Sequence, residues 1–101
     1  MTMYLDSYRD NLPIVCQKYH VKTLYAFGSV LTEWFDNNSD VDFIVAFDNS
    51  ISLEDYADNY FDFKFLLQDI FNRPVDLLEE QAIKNPYLKQ NIERTKQLVY
   101  G

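Results

Sequence analysis

Residues 24–47, LYAFGSVLTEWFDNNSDVDFIVAF, constrain this chain more than any other stretch. Two apolar runs of strand length flank a polar connection. The first run ends at Gly28-Ser29 and the second opens with Asp40-Val41-Asp42, with ten residues between Ser29 and Asp40. Side chains alternate along a strand, so Asp40 and Asp42 share one face. Val41, Phe43, Val45 and Phe47 share the other and suit a core covered by helices. Two carboxylates side by side repel each other, and unless a cation sits between them one pKa rises. Hard divalent ions suit such a pair, and Mg²⁺ favours one or two carboxylates together with phosphates.

The rest of the chain reads as scaffold for that stretch. Residues 3–20 carry Leu5, Tyr8, Leu12, Val15, Cys16 and Tyr19 at helical spacing. Pro13 either kinks that helix or marks a second one capped by Asn11. Residues 23–27 form a strand, 30–34 a helical turn, and 36–39 a cluster of turn formers before the strand at 40–47. A long helix is expected over 52–71, with Ser52 as N-cap and Asp55 completing an acidic capping box. Its stripe runs through Leu53, Tyr56, Ala57, Tyr60, Phe63, Leu67, Ile70 and Phe71. Residues 75–78 give a third strand and 79–84 a short helical turn. Asn85 and Pro86 open a final helix expected to reach about Tyr100, with Leu88, Asn91, Ile92, Thr95, Leu98 and Val99 inside. Helix, strand, strand, helix, strand, helix implies one α/β (α+β) domain over 1–101. Its three short strands form a mixed sheet with helices packed mainly on one face.

Asp76 then enters the same logic. In Pro74-Val75-Asp76-Leu77-Leu78, Val75 and Leu77 share a face and Asp76 takes the other. If this strand lies beside the second, Asp76 joins Asp40 and Asp42. Three acids on one sheet face are what a two-metal site for phosphoryl or nucleotidyl transfer needs. Gly28, between a strand and a turn, permits close backbone approach. The N–H groups after it, with the Ser29 hydroxyl, suit an anion.

Charge narrows the partners. Nine Lys and Arg against 16 Asp and Glu leave a net charge of −7. That argues against nucleic acid, whose binding rests on phosphate neutralisation, and against anionic membranes. Cys16, the one cysteine, reads as a small buried hydrophobe. With no apolar run of transmembrane length, the expected setting is a reducing cytoplasm.

Taken together, Gly28-Ser29, Asp40-x-Asp42 and Asp76 resemble the signature of the minimal nucleotidyltransferases of the DNA polymerase beta superfamily. The resemblance covers nearly the whole chain, from KYHVKTLYAFGS through RPVDLL to NPYLKQNIERTKQLVY. It implies the small nucleotidyltransferase fold, two Mg²⁺ ions and ATP as substrate. The activity implied is transfer of a nucleoside monophosphate to a hydroxyl. By the same resemblance Asp40 and Asp42 bind both metals, and Asp76 binds the catalytic one and serves as general base. Gly28 and Ser29 hold the triphosphate. The implied partner is a HEPN-type toxin, adenylylated on tyrosine, with this chain as its antitoxin. Self-association stays open.

The chain departs from the family pattern after Ser29, where Val30 stands in place of the usual Arg. Lys22, Lys64 and Arg73 are the candidates to replace that phosphate contact. The rival reading is an antitoxin that neutralises its partner by binding alone. Transfer to a small molecule ranks lower, since such enzymes use a second domain. Asp36 and Asp48 read as solvated turn formers and His20 as a helix end. Trp34 and Phe35 suit partner contact or local packing ahead of base stacking.

Overall fold

The computed structural model describes residues 3–101. β1 (Val21–Phe27) and β2 (Val41–Phe47) pair antiparallel, as the two apolar runs require. β3 (Val75–Glu79) lies parallel to β2, and β4 (Gln97–Tyr100) adds antiparallel to the other edge of β1. The sheet is therefore mixed, in the order β3-β2-β1-β4.

The strand alternation sorts the two faces as expected. Leu24, Ala26, Val41, Phe43, Val45, Val75 and Leu77 turn to one side and are buried. They pack on Leu5 of α1 (Met3–Asp6), on Leu12 and Cys16 of α2 (Leu12–Lys18), and on Phe63, Leu67 and Phe71 of α3 (Leu53–Phe71). Fully burying a side chain such as Phe43 or Phe63 stabilises by about 1.5–3 kcal/mol. Burial pushes the Cys16 thiol up to about 12, so it behaves as the small hydrophobe its place suggests.

The caps follow the sequence. Ser52 Oγ accepts from the Asp55 N–H at 3.3 Å and donates to the Asp55 carboxylate at 3.0 Å. Asn85 Oδ1 accepts from the N–H groups of Tyr87 and Leu88, opening α4 (Pro86–Thr95). The first helical stretch resolves into two helices: α2 starts after Asn11 with Pro13 in its first turn, although the Asn11 side chain makes no capping bond.

Three expectations need correction: of the inner face expected for the last helix only Ile92 is buried, while Leu88, Asn91, Thr95 and Leu98 are exposed. The sheet has four strands rather than three, and the last helix stops at Thr95 instead of reaching Tyr100. Residues 97–100 pair instead with β1, with Leu24 opposite Tyr100, Tyr25 opposite Leu98 and Ala26 opposite Gln97. The edge of β1 offers unpaired backbone groups, and Leu98-Val99-Tyr100 suits a strand at least as well as a helix. The helix that precedes it ends on the acid-bearing side of the sheet, where Lys96 lies over the Tyr25 ring. Among the described residues no helix is long and apolar enough to cross a membrane.

Candidate active site

Asp42 sits second in β2 and faces away from the helix-covered core. Its register partners are Asp76 on β3 and Phe27 on β1. The parallel pairing thus does what the strand parity required: it sets two carboxylate residues directly side by side. Asp40 is less constrained, because β2 begins at Val41 and Asp40 stands exposed just ahead of it. Burial pushes the Asp42 carboxyl up to about 6, helped by the charges of Asp76 and then Asp40. Both acids therefore act on Asp42 through space.

Gly28 closes this arrangement from the β1 side. Its φ is +75°, and a methyl group at its Cα would collide with Asp42 Oδ2. The backbone conformation requires glycine here, and any side chain would also push the end of the Asp42 carboxylate aside. Gly28 opens a 3₁₀ turn that ends at Leu31, so the turn begins two residues earlier than its apolar pattern suggests. The Ser29 carbonyl accepts from the Thr32 N–H at 2.9 Å and from Thr32 Oγ1 at 2.8 Å, which fixes the exit of the turn. Val30, where the family pattern has Arg, is buried in the core.

The loop leading to Asp40 is held by Arg73. Its Nη1 donates to the carbonyls of Asp36 and Ser39, each at 2.9 Å, and its guanidinium lies over the rings of Tyr4 and Phe35. Asp36 Oδ1 accepts from the Asn38 N–H and from Ser39 Oγ inside the same turn. Arg73 is thus engaged as a clamp on this loop. Removing it with Arg73→Ala is expected to lower stability by about 2 kcal/mol, since two charge-assisted hydrogen bonds and two ring contacts go together. A fall in thermal midpoint checks this, and an unchanged midpoint refutes the clamp. Lys64 lies on α3, the helix that covers the opposite face of the sheet. Lys22 is at the far end of β1 from Phe27, roughly 17 Å along the strand.

Phe35 packs locally against Tyr4, whereas Trp34 beside it is 77% exposed. The sequence pattern missed Lys96. Its ammonium lies 4.1 Å from the Tyr25 ring centroid and pairs with Glu93 at 3.0 Å, with only 16% of the side chain exposed. A β-prone run directly after it was the available signal. A concavity of about 540 Å³ opens elsewhere, at the other end of β2 and β3, lined by Phe47, Asp48, Leu53, Tyr56, Glu79 and Lys89. None of the three acids lines it.

Hard carboxylate oxygens are the right donors for Mg²⁺. Among the described residues no three His, Cys, Asp or Glu side chains are drawn together as a complete metal cage. The Asp42–Asp76 pair still fits an ion of this kind, which takes one or two carboxylates and fills its other positions with water and phosphate.

A family model described as a nucleotidyltransferase domain matches residues 9–99. A relative in Methanocaldococcus jannaschii, provisionally named a protein adenylyltransferase, is 36% identical over 95 residues, covering 94% of this chain and 91% of its own. A solved structure described provisionally as a minimal nucleotidyltransferase superposes with a TM-score of 0.72 at 26% identity, covering 96% of this chain and 95% of that one. The fold also matches a chain in the complex of a tri-AMPylated Shewanella oneidensis HEPN toxin with an MNT antitoxin. The TM-score there is 0.64 at 14% identity, with 95% of this chain and 71% of that one covered. Matched by that family model over residues 9–99 and by a relative 36% identical over 95 residues, the chain belongs to the nucleotidyltransferase domain family.

Proposed function

We propose that this chain transfers AMP from ATP, with Mg²⁺, to a tyrosine hydroxyl of a HEPN-type partner protein, and so acts as its antitoxin in the cytoplasm. The observation that carries the reading is the Asp42–Asp76 register pair, closed on one side by Gly28. The relative named as a protein adenylyltransferase and the AMPylated HEPN complex of the same fold support the acceptor class.

Bound Mg²⁺ supplies positive charge for the phosphates and lowers the pKa of the acceptor hydroxyl. Asp42 and Asp76 would hold it, and Asp40, one residue ahead of β2, would complete the ligand set. Asp76 is exposed at the outer side of the pair and takes the tyrosine proton. The tyrosine oxygen then bonds to the α-phosphorus, the bond from α-phosphorus to the bridging oxygen breaks, and pyrophosphate leaves. Gly28 and Ser29 receive the triphosphate beside that row. The net charge of −7 disfavours an acidic acceptor segment and suits a protein partner with a basic surface.

Co-expression with a HEPN-type partner tests the reading by intact-mass and peptide analysis. The expected result is an added AMP on tyrosine, absent with Asp76→Asn. The buried Val30 favours a second reading, neutralisation by binding alone. A tightly bound partner carrying no AMP would select that reading and overturn transfer.

A further inference from the structure

We propose that Lys96 is the cation of the nucleotide site, binding the β- and γ-phosphates in place of the Arg that Val30 replaces; this rests on the nucleotidyl-transfer reading. The strand register carries the argument. Gln97 pairs with Ala26, so one step further out Lys96 falls beside Phe27. Phe27 pairs with Asp42, and Asp42 with Asp76. Phe27, Asp42 and Asp76 therefore form one row across β1, β2 and β3, and Lys96, the residue just before β4, extends the line of that row. The position of the Lys96 ammonium over Tyr25 places it on the same face, because Tyr25 and Phe27 share a side.

Adjacent strands lie about 4.8 Å apart, which puts the Lys96 Cα about 10 Å from that of Asp42. A four-carbon stem and a chain of phosphates fill that gap between them. The α-phosphorus must react at the Asp42–Asp76 end. Gly28 and Ser29, which receive the triphosphate in this reading, follow Phe27 on the β1 side. The β- and γ-phosphates thus extend toward β1 and β4, and the Lys96 ammonium meets them by swinging from the Tyr25 ring toward Gly28.

Two further facts fit. Lysine is seldom this sheltered, yet Lys96 is 16% exposed and anchored by a ring and one carboxylate, Glu93, that is itself 51% exposed. A phosphate can displace so exposed a partner with little loss. The other candidates are elsewhere: Arg73 clamps the 36–39 loop, Lys64 is on the covered face, and Lys22 is at the wrong end of β1.

The test is calorimetric titration with Mg²⁺ and the α,β-methylene analogue of ATP, whose α–β link cannot be cleaved, repeated with AMP. Wild type, Lys96→Met, Lys96→Arg and Asp42→Ala are compared, with folding checked by circular dichroism. Lys96→Met is expected to weaken the ATP analogue about tenfold, the value of one charge-assisted contact, and to leave AMP within about twofold. Lys96→Arg is expected to recover most of the affinity, which a packing role alone would not predict. If Lys96→Met fails to fold, Lys96→Gln, shorter but polar and uncharged, is read by the same criteria. Binding that Asp42→Ala abolishes but loss of the Lys96 charge leaves unchanged overturns this assignment and leaves the nucleotide site standing. A wild type that binds neither nucleotide overturns both.

Discussion

Asp42→Asn is expected to abolish transfer and, at the same time, to stabilise the metal-free protein. The first effect follows from the ligand role proposed for Asp42, since metal chemistry contributes several kcal/mol to such reactions, a loss of roughly 10³-fold. The second follows from its environment. The folded carboxyl titrates at about 6 against an ordinary 3.8, raised by burial first and by Asp76 and Asp40 after it. Between those two values the folded chain holds the proton more tightly than the unfolded chain does. Stability therefore falls as pH rises from about 4 to about 6, and stays lowered above that. The upper bound is about 3 kcal/mol, reduced to about 1–2 kcal/mol because Asp42 is only half-buried and solvent screens it. Asn keeps the shape and removes the charge. At pH 7.5 in chelator, the variant's thermal midpoint should exceed that of wild type by about 5–10 °C. At pH 4 the difference should vanish. A variant less stable than wild type at pH 7.5 would refute this account of the site.

The same residues show how far the sequence reaches. Strand parity alone put Asp42 and Asp76 on the face opposite Val41, Phe43, Val75 and Leu77, and Ser52 and Asn85 announced their helices through a local rule. What parity leaves open is register, and register is a tertiary fact: only the parallel pairing puts Asp76 opposite Asp42 rather than one residue away. β4 was hidden for a related reason. Neither Gly nor Pro separates Thr95 from Gln97, so a helical period runs on smoothly, while the cause of the strand is a distant edge of β1. Lys96 was hidden with it. Arg73 was visible as a cation but not as a clamp, because the carbonyls it serves lie more than thirty residues away in sequence. Local rules thus locate the acids, and long-range pairing decides what surrounds them.

Gly28→Ala is expected to lower stability and activity together, each for its own reason. A residue with a Cβ at φ +75° is strained by about 1–2 kcal/mol, and this is the main cost to the fold. The collision with Asp42 Oδ2 adds little, because the end of a carboxylate side chain can swing aside where backbone cannot. That movement is what removes activity. A carboxylate displaced by about 1 Å no longer meets Asp76 across the strand pair, and transfer is expected to drop about 10²-fold or more. The displacement has its own signature. Swung into solvent, Asp42 loses the burial that raised its pKa, so the loss of stability between pH 4 and 6 should shrink in Gly28→Ala. Urea unfolding across that range, alongside the AMP-transfer assay, measures both effects. If the variant keeps the full pH-dependent loss while transfer collapses, Asp42 has stayed in place and the turn at Gly28 acts on the nucleotide directly. If transfer survives, the contact between Gly28 and Asp42 is only packing, and the acids work without the turn that follows β1.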